Sequence, residues 1–160
     1  MDSVRRLMAI ALAELIDPAQ INLNLRARTQ VDALREIIDL LRAAEKIKET
    51  GEFLTQLQAR EVSHSTYAAD GVAFPHARTK LVDEIVVGIG RSQAGIPWTA
   101  KGEVAQLIFL IAVPKRLISD YLVMVGAIVR IMKDRPLRTL LLHAENVDEF
   151  ISTLLTAPSI

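Results

Sequence analysis

The chain has 160 residues, 51% of them hydrophobic, which is enough for one domain (1–160) with a sizeable core. Aromatic residues are only 4%, so that core is aliphatic, and nineteen cationic side chains balance nineteen acidic ones. The balance argues against a nucleic-acid surface, and the absence of cysteine excludes disulfides, thiolate zinc ligands and thiol catalysis.

Arg5-Arg6 and the apolar run 7–13 mimic a secretory leader, but Glu14 and Asp17 follow at once. Leu7, Ile10, Ala11 and Leu15 read instead as one face of an amphipathic helix over 3–16, ending before Asp17-Pro18. No uncharged apolar run approaches the roughly 18 residues that span a bilayer, and the expected location is cytoplasmic.

Residues 21–25 alternate apolar and polar, the period of a half-buried strand. Thr29, with Asp32 three residues on, is a variant capping box for a helix over 30–45, carrying Val31, Leu34, Ile37, Ile38 and Leu41 on one face. Thr50-Gly51 opens a shorter helix with Phe53, Leu54 and Leu57 inward and Arg60 at or near its end. The polar stretch 63–70 reads as a loop, 72–74 as a short strand, 84–90 as a strand and 92–95 as a turn. The nearly continuous apolar run 104–113 is a strand buried on both faces, stopped by Pro114. The length of 121–132 favours a helix capped by Ser119 or Asp120. Arg135-Pro136 starts another, and Asn146 with Glu149 caps a last one to about Leu155. Interleaved strands and helices make an α/β fold, a sheet covered on both faces.

The stretch Gly71-Val72-Ala73-Phe74-Pro75-His76-Ala77-Arg78 carries the chemistry. Proline fixes its own φ and pushes Phe74 towards extended geometry, so His76 is delivered by stiff backbone. A held imidazole beside a cation suits phosphoryl transfer, since neutral histidine offers a lone pair near neutral pH without a separate base. On these residues alone, a surface histidine in a turn is the simpler reading. No nucleophile elbow, P-loop or paired-carboxylate pattern is present.

Arg60-Glu61, Ser65-Thr66, the Pro75-His76 core sixteen residues after the Arg-Glu pair, Gly95-Ile96-Pro97-Trp98 and the strand 107–113 occur together in this order. In these pieces the chain resembles the fructose/mannitol-type enzyme IIA domain of the bacterial phosphoenolpyruvate-dependent sugar phosphotransferase system, including its nitrogen-regulatory relatives. The resemblance implies a mixed sheet of about four to five strands flanked by helices. It implies a phosphocarrier that needs no cofactor or metal, phosphorylated on His76 with Arg60 as the active-site arginine. The donor would be the phosphohistidine of an HPr-type protein, and the acceptor a IIB domain or a regulated target. Where relatives commonly carry a second histidine, at the start of the helix after the long strand, this chain has Tyr121 or its neighbour. That departure opens an alternative: a degenerate IIA-like module that regulates by contact and transfers no phosphate.

Beside these, Arg78 shares a side with His76 if the chain is extended, and backbone N–H groups in a loop after His76 would make a nest for an anion. His64 is a polar loop residue that would line the site as a partial substitute for the second histidine. Ser65 and Thr66 are loop caps or phosphate ligands. Phe74 is expected on an apolar rim that meets a partner, Trp98 in packing, and His143 at a helix C-terminus. His64, His76 and His143 lack the spacing of a zinc site.

Overall fold

The computed structural model describes residues 12–156, apart from the side chains of 118–122 and 124. Of the helix expected over 3–16, residues 12–15 are helical and 3–11 lie outside the described residues. The sheet has six strands, β1 (Ile21–Asn22), β2 (Tyr67–Ala69), β3 (Val72–Ala73), β4 (His76–Thr79), β5 (Val86–Pro97) and β6 (Val104–Pro114). Its helices are α1 (Gln30–Ala43), α2 (Thr50–Ser63), α3 (Ile118–Met132), α4 (Arg135–His143) and α5 (Val147–Leu155).

Strand order is β1-β5-β6-β3-β2, with β4 also on β6. β5 runs antiparallel to β6, while β3 and β4 run parallel to it. The sheet is mixed, as expected, and its six strands lie along five lines. β3 and β4 are one line: Val72 pairs with Leu107 and His76 with Ile111, the same offset on both sides of Phe74-Pro75. Pro75 still offers its carbonyl to Ile111 N–H at 2.9 Å. Its missing N–H leaves one rung of the ladder empty.

β6 explains its own apolar run. Leu107, Phe109, Ile111 and Val113 enter one core with Val72, Phe74, Val87, Ile89, Ile128, Leu141 and Phe150. Ile108, Leu110 and Ala112 enter a second with Leu34, Ile37, Leu41, Phe53, Leu57 and Ala77. Side chains alternate across a strand, so a strand between two helical layers must be apolar at every position. α1 and α2 cover the second face, and α3 to α5 the first.

α1 begins where Thr29 Oγ1 accepts the Asp32 N–H at 3.3 Å. Asp32 turns its carboxylate to Arg35 at 3.2 Å instead of back to the cap. α1 packs close on β5 because Gly88 and Gly90 face it. A Cβ at Gly88 would lie 2.6 Å from Ile37 Cγ2, and one at Gly90 2.8 Å from Ile37 Cδ1.

Several boundaries differ from expectation. β1 stops at Asn22 because its side chain accepts the Asn24 N–H at 2.9 Å, a local turn that ends the strand. The polar stretch expected as a loop over 63–70 holds the end of α2 and strand β2, paired antiparallel with β3. β5 does not end at a turn over 92–95. It bulges between Arg91 and Ile96, with Gly95 at φ +81°, and rejoins β6. α3 starts at Ile118, after Leu117, so Ser119 and Asp120 fall within its first turn and not at the cap position. Asp134 caps α4 through Leu137 N–H at 3.2 Å, and Asn146 caps α5 through Glu149 N–H at 2.8 Å.

Candidate functional site

His76 opens β4 on the same sheet face as Val72 and Phe74, next to Ile111. It is half-buried. Along this line Gly71 and Pro75 turn their carbonyls to β6, and Phe74 turns the other way. Its N–H donates to Thr66 O at 2.9 Å. Its own carbonyl lies 2.7 Å from His76 Nδ1. A carbonyl oxygen only accepts, so Nδ1 carries the proton and the ring's lone pair sits on Nε2. Burial pulls the imidazole pKa below its ordinary 6.5; the Phe74 carbonyl opposes this, the Arg60 charge adds to it and the Glu61 charge opposes it. The shift favours the neutral form of the ring, with the proton on Nδ1.

Phe74 is not on an exposed rim. It is 4% exposed and stacked on Phe109, ring centroids 5.5 Å apart and planes 18° apart. Residues on this strand alternate between faces, and Phe74 falls on the side that α3 to α5 cover. The loop of N–H groups expected after His76 is likewise absent: His76–Thr79 is β4, in register with Ile111, Ala112, Val113 and Pro114.

Arg60 occupies the last turn of α2, three residues past the buried Leu57. Its Nη1 donates to His64 O at 2.9 Å, and His64 N–H donates to Arg60 O at 3.3 Å. This loop bond anchors one end of the guanidinium close enough to His76 for its charge to act on the ring. His64 is the C-cap of α2, exposed at the chain reversal into β2. Thr66 is buried, and its N–H and hydroxyl both donate to the Glu61 carboxylate, so its one hydroxyl proton is committed. Ser65 Oγ accepts the Tyr67 N–H at 3.1 Å. Arg78 is exposed, on the His76 side of β4, with Nη2 donating to Lys115 O at 3.1 Å. Tyr121 falls in the first turn of α3, and its side chain lies outside the described residues. His143 ends α4 and donates from Nδ1 to Thr139 O at 2.8 Å. His64, His76 and His143 sit on separate elements, and no metal-binding group of three His, Asp or Glu occurs among the described residues.

A family model, "Phosphoenolpyruvate-dependent sugar phosphotransferase system, EIIA 2", matches residues 14–157. The chain belongs to that family. This enzyme IIA chain is 31% identical over 119 residues to the fructose-specific EIIA component of Haloferax volcanii, covering 74% of this chain and 77% of that one. It is 26% identical over 144 residues to the fructose-specific EIIABC component of Bacillus subtilis, 89% of this chain and 23% of that protein. The chain thus spans about a quarter of that relative's length. Among solved structures, nitrogen regulatory protein IIA-Ntr of Neisseria meningitidis superposes with a TM-score of 0.83 at 23% identity, covering 90% of this chain and 99% of that one. IIA mannitol of Escherichia coli, solved in complex with phosphorylated IIB mannitol, gives 0.74 at 20% identity, with 87% and 96% covered. At these identities the likeness to the structures is one of fold. No described helix of this enzyme IIA chain is long and apolar enough to cross a membrane.

Two polar residues escaped the reading of the sequence. Glu61 was visible in the Arg-Glu pair but had no assigned task; its two bonds to Thr66 depend on a chain reversal that the polar stretch 63–70 did not announce. Arg91 is buried in mid-β5, where Nε donates to Leu23 O at 3.1 Å and Nη1 to Leu141 O and Ala144 O at 2.9 and 2.8 Å. Burial lowers its pKa, with Glu149 opposing. It ties β5 to the C-terminal end of α4, a structural task.

Proposed function

We propose that this enzyme IIA chain is a phosphohistidine carrier, with Nε2 of His76 as the acceptor and Arg60 as the group that binds the phosphoryl oxygens. The observation that carries the reading is the Nδ1–H bond to Phe74 O, which puts the lone pair on Nε2 of a stiffly held ring. In the step, Nε2 forms a bond to phosphorus in line with the donor's N–P bond. The electrons of the broken bond stay on the donor imidazole, and no proton need move. The ring of His76 becomes cationic, which strengthens its bond to the Phe74 carbonyl. The planar fork of Arg60 suits two phosphoryl oxygens. The donor is an HPr-type phosphoprotein. The acceptor is a IIB domain or a regulated target, and the work is done in the cytoplasm.

The test supplies phosphoenolpyruvate labelled in its phosphoryl group, enzyme I and HPr. Wild type is expected to take up acid-labile label and His76→Ala none. Normal labelling of His76→Ala would remove His76 from the role. The tyrosine at 121 favours a second reading, a contact regulator that carries no phosphate. Folded wild type that never labels, yet captures a IIB domain as well as His76→Ala does, would replace the carrier reading with this one.

A further inference from the structure

Glu61 stands in the last turn of α2, where the helix dipole disfavours an anion. Its position is explained by what it holds. Oε2 accepts the Thr66 N–H at 3.0 Å, and Oε1 accepts the Thr66 hydroxyl. Two bonds to one buried residue fix the reversal 64–66 against the helix end. Both halves of the candidate site hang from that reversal. On one side, Thr66 O receives the Phe74 N–H at 2.9 Å, and Phe74 O receives the His76 Nδ1–H at 2.7 Å. On the other, His64 O receives Arg60 Nη1 at 2.9 Å.

We propose that Glu61 is a positioning residue that holds the His76 imidazole and the Arg60 guanidinium in one frame through its paired bonds to Thr66. The proposal takes its chemistry from the carrier reading and adds a residue to it. Glu61 is not the base, because the Nδ1 proton goes to Phe74 O and both carboxylate oxygens serve Thr66. Freed from this clamp, the 64–66 turn would release Thr66 O from Phe74 and His64 O from Arg60 together. The ring would lose its single tautomer and the guanidinium its anchor.

Three variants separate the bridge from its charge. Glu61→Met fills a similar space and offers only a weakly accepting thioether. Glu61→Gln keeps the bridge without charge, since its oxygen takes the Thr66 N–H and its amide donates to a rotated Thr66 hydroxyl. Thr66→Ala attacks the bridge from the other side and serves if Glu61→Met does not fold. Two readouts are taken on the intact chain: nitrogen NMR of the unphosphorylated His76 ring, and the single-turnover rate of labelling from phospho-HPr. Expected are a single Nδ1–H tautomer in wild type and Glu61→Gln, and a tautomer mixture in Glu61→Met and Thr66→Ala. The labelling rate of the latter two should fall about tenfold or more, as misplacement of a reacting group predicts. A wild-type ring spectrum and rate in folded Glu61→Met, or in Thr66→Ala in its place, would overturn the proposal. Loss of the tautomer in Glu61→Gln as severe as in Glu61→Met would overturn the bridge as the operative link. If wild type takes no label, the carrier reading fails on its own, and the ring spectra still decide the role of Glu61.

Discussion

The carbonyl of Phe74 lies 2.7 Å from Nδ1 of His76, so a buried aromatic residue two positions upstream sets which nitrogen of the ring holds the lone pair. The aromatic ring is locked by stacking on Phe109. Core packing and site chemistry therefore meet in one residue. Phe74→Ala is expected to cost about 3–5 kcal/mol in urea unfolding, as for other large aromatic truncations in cores. A loss under about 1 kcal/mol would mean that Phe74 is not part of the core.

Burial holds the His76 imidazole below 6.5 in the folded chain. As pH falls, the unfolded chain takes this proton first. Stability linked to the ring is therefore whole above about pH 6.5 and declines as pH drops from there through the folded value. His76→Gln should flatten that part of the stability curve measured by urea at several pH values. Arg60→Gln should move the ring's NMR titration midpoint upward, because the Arg60 charge lowers it. An unchanged slope in the first variant, or a downward midpoint in the second, would contradict the assignment.

Arg60→Ala is expected to slow phosphoryl transfer to His76 about 10²-fold, the usual effect of removing one well-placed donor from a charge-developing site. Arg60→Lys should not restore the wild-type rate, since an ammonium lacks the planar fork that also reaches His64 O. Equal single-turnover rates in wild type and Arg60→Ala would exclude the residue from the reaction.

Arg91 satisfies three backbone carbonyls at once in the interior. Arg91→Leu leaves all three without this donor and should cost at least about 3 kcal/mol, with Arg91→Lys only a partial rescue. Phosphate-independent thermal and urea unfolding measure this. A change within about 0.5 kcal/mol in Arg91→Leu would show that water replaces the guanidinium freely.

Gly88 faces Ile37 Cγ2 across a gap that admits no Cβ. Gly88→Ala should push α1 from β5 and cost about 1–3 kcal/mol, the range of overpacked cores. Unchanged stability would mean that α1 shifts without cost.

Much of the fold is legible before any coordinates. The face of α1, its Thr29 cap, the run of β6, the cap at Asn146 and Pro136 in the first turn of α4 all follow from local rules: period, cap chemistry and proline geometry. What stays hidden depends on partners far along the chain. β2, Tyr67–Ala69, is too short to show a period of its own and pairs with β3, which Leu107 and Ile108 of β6 hold in place. β5 continues past Ser92 because β6 is there to pair with Ile96 and Pro97. An exposed Phe74 was a fair expectation beside a surface histidine, but alternation on a strand whose face is covered buries it. Of the site, His76 and Arg60 stand out as chemistry-bearing types in a tight pattern. Glu61 needed the reversal at 64–66 to gain its partner, and Arg91 needed the end of α4.

The unbroken offset between β3, β4 and β6 across Pro75 makes the location of the imidazole a matter of odd and even. Duplicating one residue between Gly71 and Pro75 would keep every side chain yet carry the ring through the sheet, from the layer of Ile111 to that of Ala112 and the helices behind it. The proline that silences one rung of the ladder thus leaves the count intact, and length at this point is as stringently specified as the histidine itself.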